Sequence, residues 1–328
     1  MDAVNPELKN KAQEKADFET EQERRRIDNY RSLRYNYTVT TVDAWLNDYY
    51  EAHKATLKLK KNPTWNQIRK DAGISLFENV FPFLSIEKKK TIEARREQSR
   101  KKLQLEVDEV NKRERERCSR YNNRLEANVS DKYERFIDCD KMEIEEYFCY
   151  ALHQDYYQLD RIECSPEFNL LYVADKKRLV VDYELPLMDQ ISKVKEWKVG
   201  KDLEIMPKDM NKADYLDMYE RILFDLSLRT VGILFCSDDK NILNEIVFNG
   251  SCVYSDWQHV PTIIVSFLMA KNQFSLERIR GMECDSKSEI AKLDDVRYLG
   301  DIHSIKPPVD LWDTPPVKLV VPIQSSFR

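Results

Sequence analysis

Residues of the types that metal-dependent hydrolysis requires lie close together in sequence in the second half of the chain. Asp182 and Glu184 alternate along a predicted strand, so their side chains share one face about 7 Å apart. Glu196-Trp197-Lys198 forms an E-x-K tripeptide on the next predicted strand. Paired carboxylates can hold Mg²⁺, and a lysine beside them can help to activate water. The spacing therefore indicates a candidate hydrolytic site built from Asp182, Glu196 and Lys198.

A predicted helix ahead of these strands adds another acidic residue, Glu146. Helix Glu, strand Asp and strand E-x-K follow one another in the order found in PD-(D/E)xK nucleases. The tripeptide also occurs at Glu7–Lys9 and Glu87–Lys89 in helical contexts, and no proline precedes Asp182. In a chain with 34% charged residues, the same pattern fits an ordinary exposed strand face. A divergent nuclease that uses Mg²⁺ is therefore an alternative prediction, and no other cofactor is expected.

Other catalytic and metal-binding patterns are missing from the sequence. The 7 cysteines form no C-x-x-C pair and the 4 histidines are dispersed, so we expect reduced structural thiols and no metal site. The chain has only 6 glycines, no P-loop motif, no G-x-S-x-G motif and no H-E-x-x-H motif. These features argue against the common hydrolase and NTPase classes. We therefore predict no catalytic residues in the leading interpretation.

Positive charge is concentrated in one segment. Residues 85–126 contain 14 basic and 9 acidic residues, in a chain whose net charge is −5. A basic rod could bind nucleic acid or an acidic partner surface, whereas a solvated helix with i,i+4 ion pairs would have the same composition. The candidate nucleic-acid-binding residues are Lys88, Lys89, Lys90, Arg95, Arg96, Arg100, Lys101, Lys102, Arg113 and Arg117.

Hydrophobic spacing predicts an α+β fold with helices first and strands later. Residues 1–40 are predicted to form a charged helical arm that packs weakly, and residues 41–84 to form a small helical unit. Residues 85–135 are predicted to form a long basic helix or coiled-coil-like connector, through which chains could oligomerise. Residues 136–306 predict a mixed α+β domain with antiparallel strands around a buried helix. Residues 307–328 predict an extended proline-rich tail.

Alternating apolar residues predict most of the strands of this domain. A β-hairpin is predicted because two short apolar runs flank the turn residues Asp175-Lys176-Lys177. The predicted strands are 168–174, 178–186, 193–199, 242–254 and 262–269. An amphipathic helix is predicted at 140–157, ahead of the hairpin.

Two further positions have a predicted structural role. Arg229 falls in the apolar stripe of a helix predicted from Asn211 to about Cys236, where an unpaired charge would be costly. We predict that Arg229 forms a buried ion pair or contacts backbone carbonyls. Asn249-Gly250 interrupts a predicted strand, so we expect a turn or bulge in which the glycine has a positive φ.

Several short motifs in a fixed order resemble a known family. They are Glu146-Tyr147-Phe148, Leu171-Tyr172-Val173, the run from Arg178 to Pro186, Leu228-Arg229-Thr230 and the run from Ile246 to Gly250. Residues 136–306, with a long charged helix before them, resemble the region that precedes the nuclease domain in multidomain bacterial Mrr-type restriction endonucleases. In that family a Mrr-like nuclease domain follows, whereas this sequence reaches Arg328 without one. The resemblance therefore transfers no active-site residue.

This resemblance implies a non-catalytic accessory or scaffold subunit of a bacterial restriction or antiphage defence system. Such a subunit would dock other protein subunits of a defence complex, and DNA is a candidate second partner. No apolar run approaches the ~20 residues that span a bilayer, and residues 1–30 are charged throughout, so we expect a cytoplasmic protein without a membrane partner. The alternatives are the divergent nuclease and a purely structural coiled-coil adaptor.

Overall fold

The computed structural model describes residues 6–75, 86–155, 157–159, 162–164, 167–253, 261–277 and 285–300. The fold is α+β, as predicted. The chain forms two compact units, which we call the basic unit (residues 46–134) and the sheet unit (residues 1–45 and 135–328). The predicted tail at 307–328 lies outside the described residues, as do residues 76–84 of the predicted helical unit.

One long helix dominates the basic unit. Helix α4 spans Ile86–Ile137, and its 52 residues give a length of about 78 Å at 1.5 Å per residue. The predicted long helix is thus confirmed, because an uninterrupted run without glycine or proline allows the helical hydrogen bonds to continue. Helix α2 spans Val42–His53 and helix α3 spans Trp65–Asp71. Helix α3 ends before Gly73, and this glycine has a φ of 62°.

An extended segment that we call the strap (residues 54–64) joins α2 to α3 and lies along α4. The Lys60 N–H donates to Asn111 Oδ1 (2.7 Å), and the Lys60 carbonyl accepts from Asn111 Nδ2 (3.1 Å). Further along, the Ala55 N–H donates to Asn122 Oδ1 (2.9 Å). The sequence analysis placed this segment inside the helical unit predicted over 41–84. The helix stops at His53 instead, because α4 side chains offer its backbone alternative hydrogen bonds.

The sheet unit is built on a five-stranded mixed sheet with the order β3-β4-β7-β8-β9. The strands are β3 (Phe168–Val173), β4 (Arg178–Glu184), β7 (Glu245–Val253), β8 (Pro261–Ala270) and β9 (Asp295–Leu299). The predicted hairpin is present as β3 and β4, which pair antiparallel. Strands β4 and β7 pair parallel, and the remaining neighbours pair antiparallel.

The core of the sheet unit forms around helix α6, Lys212–Ser237. The helix begins as predicted at the N-cap Asn211, whose side chain accepts from the Asp214 N–H (2.8 Å). Almost every residue from Ile222 to the end of the helix is buried, which matches the predicted central helix. The predicted amphipathic helix is α5, Lys141–His153. A short helix, α7 (Ser286–Ala291), and the small hairpin of β1 (Tyr157–Leu159) and β2 (Ile162–Cys164) were not predicted.

The N-terminal helix α1, Pro6–Ser32, packs on a second, two-stranded sheet. This sheet consists of β5 (Val194–Val199), which was predicted, and β6 (Ile205–Asp209), which was not. The Trp197 N–H donates to Thr20 Oγ1 (2.9 Å), and Arg26 Nη2 donates to the Val194 carbonyl (2.8 Å). The expected weak packing of this arm is therefore wrong. Polar side chains of α1 satisfy the free edge of β5, and such contacts leave no apolar stripe in the sequence.

Gly250 lies in a β-bulge, as predicted, because the pairing of β7 with β8 shifts between Gly250 and Ser251. Its predicted positive φ is wrong. A Cβ at this position would lie 2.7 Å from Leu185 Cδ1 and 2.8 Å from Val265 Cγ1. The glycine is thus required by close packing, and the bulge itself needs no left-handed backbone.

Candidate functional site

The structure does not bring the predicted hydrolytic residues together in one sheet. Asp182 lies on β4, whose neighbours are β3 and β7. Glu196 and Lys198 lie on β5, which pairs with β6 in the separate small sheet. Glu196 accepts a hydrogen bond from Lys208 Nζ (2.6 Å) and lies 3.3 Å from Lys198 Nζ. The hydrogen bond from Lys208 is the main cause of a lowered Glu196 pKa.

Asp182 belongs instead to a polar row across the main sheet. Asn249 Nδ2 donates to Asp182 Oδ1 (2.8 Å), and Ser266 Oγ donates to Asn249 Oδ1 (2.7 Å). The strand register places the three residues directly opposite one another. Sequence reasoning selected Asp182 and Asn249 for different reasons, and the structure joins them. Burial raises the pKa of Asp182, which the hydrogen bond from Asn249 only partly offsets.

We expect Asp182→Asn to flatten the pH dependence of stability. Because the Asp182 pKa is raised in the folded state, the folded protein holds this proton more tightly than the unfolded chain does. The tighter binding of this proton adds to the unfolding free energy. The added stability is complete below the unfolded pKa of about 4 and is lost as the pH rises through the folded pKa. The variant should therefore lose less unfolding free energy than wild type between about pH 4 and pH 7, in urea titrations.

The matched control is Asp175→Asn, at an exposed position in the turn of the same hairpin. Its pH profile should follow that of wild type. A steeper loss of stability with rising pH in Asp182→Asn would contradict the burial of an Asp182 carboxyl with a raised pKa.

The remaining acidic candidates do not complete a metal site in the described part of the chain. Glu146 lies on α5, and Glu184 lies two residues beyond Asp182 on β4. Burial is the main cause of a raised Glu184 pKa, and the neighbouring Glu167 raises it further. Among the described residues, no group of three or more His, Cys, Asp or Glu side chains is arranged to hold a metal ion.

Four of the ten candidate nucleic-acid-binding residues of α4 form ion pairs with acidic side chains. Lys101 pairs with Glu97 (3.6 Å), and Arg113 pairs with Glu109 (3.5 Å) along the helix. Arg117 pairs with Glu114 (2.9 Å) and is the main cause of lowering the Glu114 pKa to about 2. Lys102 Nζ reaches Asp71 Oδ1 (2.9 Å) at the end of α3. The three pairs within α4 therefore follow the expectation of a solvated, ion-paired helix, whereas Lys102 is paired with another helix.

Four other candidates have a different environment. Lys89, Lys90, Arg95 and Arg100 are exposed, and they have no ion-pair partner among the residues that the structure describes. All four lie in the first turns of α4, between Ile86 and Lys102. Their positive charges are thus available to an external anion.

The strap adds further cations to the basic unit. Lys58, Lys60 and Lys61 are exposed, whereas the main chain of the strap is bonded to α4. Residues 46–134 contain 21 Lys and Arg against 15 Asp and Glu, a charge of +6. The rest of the chain therefore carries −11. The structure concentrates positive charge in one compact unit, which the sequence run at 85–126 only partly revealed.

Arg229 has the predicted buried ion pair. Its Nε and Nη2 donate to the two carboxylate oxygens of Asp155 (2.7 and 2.8 Å). Its Nη1 donates to the carbonyls of Leu33 and, at 2.6 Å, Asn36. Asp155 Oδ1 also accepts from the Thr38 N–H (3.0 Å). The pair thus ties the segment after α1 to the central helix α6, and only its partners were missing from the sequence-based prediction.

No family model, curated protein or solved structure matches this chain. In the described part of the chain, no helix has the length and apolar character needed to cross a membrane.

Proposed function

We propose that this protein is a non-catalytic accessory subunit of a bacterial restriction or antiphage defence system. It binds nucleic acid through the basic unit and docks an effector protein of the same complex in the cytoplasm. The nucleic-acid part rests on the exposed cations of α4 that have no ion-pair partner in the described part of the chain, namely Lys89, Lys90, Arg95 and Arg100. Cations without an ion-pair partner favour phosphate binding because they replace the counterions condensed on a polyanion, which are then released into solution.

The distribution of charge supports this proposal over a purely structural helix. An ion-paired helix gains stability from its charges, but Lys89, Lys90, Arg95 and Arg100 form no such pairs with the residues that the structure describes. They also lie in a unit of charge +6, so a polyanion meets net attraction there.

The proposed docking of an effector rests on the resemblance of residues 136–306 to the region ahead of Mrr-type nuclease domains. The environment of Glu196 is consistent with a non-catalytic module, because Lys198 and Lys208 both form ion pairs with its carboxylate. Asp182 is bonded within its own sheet to Asn249. The effector would then supply the chemistry that such a defence complex requires.

The proposal is tested by the salt dependence of nucleic-acid binding to the full chain. We expect the affinity for a labelled duplex to fall roughly 150-fold between about 50 and 200 mM salt, because four phosphate contacts give a log–log slope of about −3.6. Fluorescence anisotropy measures this directly. Absence of binding to both a duplex and a single strand at low salt, or affinity that does not change with salt, would contradict nucleic-acid binding and leave the structural adaptor.

The divergent nuclease is tested in the same preparation. We expect supercoiled plasmid to stay intact when it is incubated with the protein and Mg²⁺. Cleavage that requires the divalent metal and disappears in Lys198→Ala would establish the nuclease and overturn the non-catalytic assignment.

A further inference from the structure

Trp65 is an exposed aromatic side chain inside the basic unit. It is the first residue of α3, and 47% of its surface is accessible. The guanidinium carbon of Arg96, on α4, lies 4.6 Å from the centre of the indole ring. Arg96 is thus stacked on one face of the ring, an arrangement that orients both groups. A large apolar surface is held in place without being buried.

The α4 face that carries Arg96 also carries unpaired cations. Lys89, Arg96 and Arg100 follow one another at spacings of seven and four residues, so they share one side of the helix. This row covers about 16 Å at 1.5 Å per residue. Lys89 and Arg100 have no ion-pair partner in the described chain. The Trp65 ring, which contacts Arg96, therefore lies beside the middle of a short row of cations.

We propose that Trp65 and this row bind single-stranded nucleic acid, DNA or RNA, with a base stacked on the indole ring. The inference rests on the proposed function and adds the class of ligand. Every base has a π-face, so an aromatic platform beside cations binds single strands with little sequence preference. In a duplex the bases are already stacked on one another and offer an indole only their edges. The combination of Trp65 with Lys89, Arg96 and Arg100 therefore favours a single strand.

The test compares Trp65→Ala with wild type on a labelled oligothymidylate of about 15 nucleotides, the matching oligouridylate and a duplex of equal length. We expect the variant to lose roughly 5- to 150-fold in affinity for the single strands, because stacking on an aromatic residue contributes about that much per base. Duplex affinity should change by less than about twofold, and the salt slope should stay the same because no cation is removed.

Two further variants make the test specific. Tyr121→Ala removes another aromatic residue of the basic unit that is also 47% exposed, and we expect it to bind like wild type. Trp65→Phe keeps an aromatic ring and should retain most of the affinity. The single strand should quench part of the tryptophan fluorescence of wild type, and Trp65→Phe should lack that component even if Trp65→Ala does not fold.

The outcomes separate this inference from the proposed function. If wild type binds neither strand nor duplex, both fail. If it binds both with steep salt dependence but Trp65→Ala binds single strands like wild type, only the stacking site is overturned. Preference for oligothymidylate or oligouridylate then assigns the strand as DNA or RNA.

Discussion

Replacing Arg229 with leucine is expected to lower the unfolding free energy by about 3–5 kcal/mol. The guanidinium is almost fully buried, and it is the bidentate partner of Asp155. Leucine would leave the Asp155 carboxylate buried with the Thr38 N–H as its one remaining donor among the described residues. It would also remove the donor to the carbonyls of Leu33 and Asn36. Urea denaturation followed by circular dichroism measures the loss.

Arg221→Leu provides a matched control on the same helix. Arg221 is half-exposed and lies 3.4 Å from Asp225. Asp225 still has Ser286 and Arg34 as neighbours, so the control should cost no more than about 1 kcal/mol. A double variant, Arg229→Leu with Asp155→Leu, should recover part of the loss because it removes the orphaned charge. An Arg229→Leu protein as stable as the Arg221→Leu protein would contradict the role assigned to the buried pair.

Removing the unpaired cations of α4 is expected to have the largest effect on nucleic-acid binding. The fourfold variant with alanine at Lys89, Lys90, Arg95 and Arg100 should lose affinity on the order of 100-fold at low salt. Its log–log salt slope should become shallower by about one unit for each lost phosphate contact. The fold should be retained, because all four side chains are exposed and alanine is a strong helix former.

The control for this variant removes equal charge from the sheet unit. Lys9, Lys11, Lys15 and Lys212 are exposed helical lysines of α1 and α6. Their replacement with alanine should change the affinity by no more than about twofold, since exposed charges that make no phosphate contact are screened by salt. Equal losses in the two variants would show that binding follows net charge and has no defined site on α4.

Local patterns were sufficient to predict the longer helices and the hairpin of β3 and β4. Alternating apolar residues and a short turn define β3 and β4, and Asn211 marks the start of α6 because its side chain caps the helix. The strap and the attachment of α1 were not predictable. Both depend on polar contacts between segments far apart in sequence, such as Lys60 with Asn111, and these leave no periodic signal.

The candidate site was likewise predictable only in part from the sequence. Composition identified the basic segment, and i,i+4 spacing accounts for pairs such as Glu97 with Lys101. The pair of Lys102 with Asp71 and the stacking of Arg96 on Trp65 join residues from different helices. Only the three-dimensional structure therefore shows which cations remain unpaired and where an aromatic residue lies among them.

Affinity purification of the tagged protein from its native host tests the central claim most directly. Mass spectrometry would identify co-purifying proteins, and the absorbance ratio at 260 and 280 nm, with and without added nuclease, would detect bound nucleic acid. An accessory subunit should be recovered in stoichiometric amounts with an effector such as a nuclease or ATPase, together with nuclease-sensitive absorbance. Recovery of the protein alone, or only as an oligomer of itself without nucleic acid, would contradict the account.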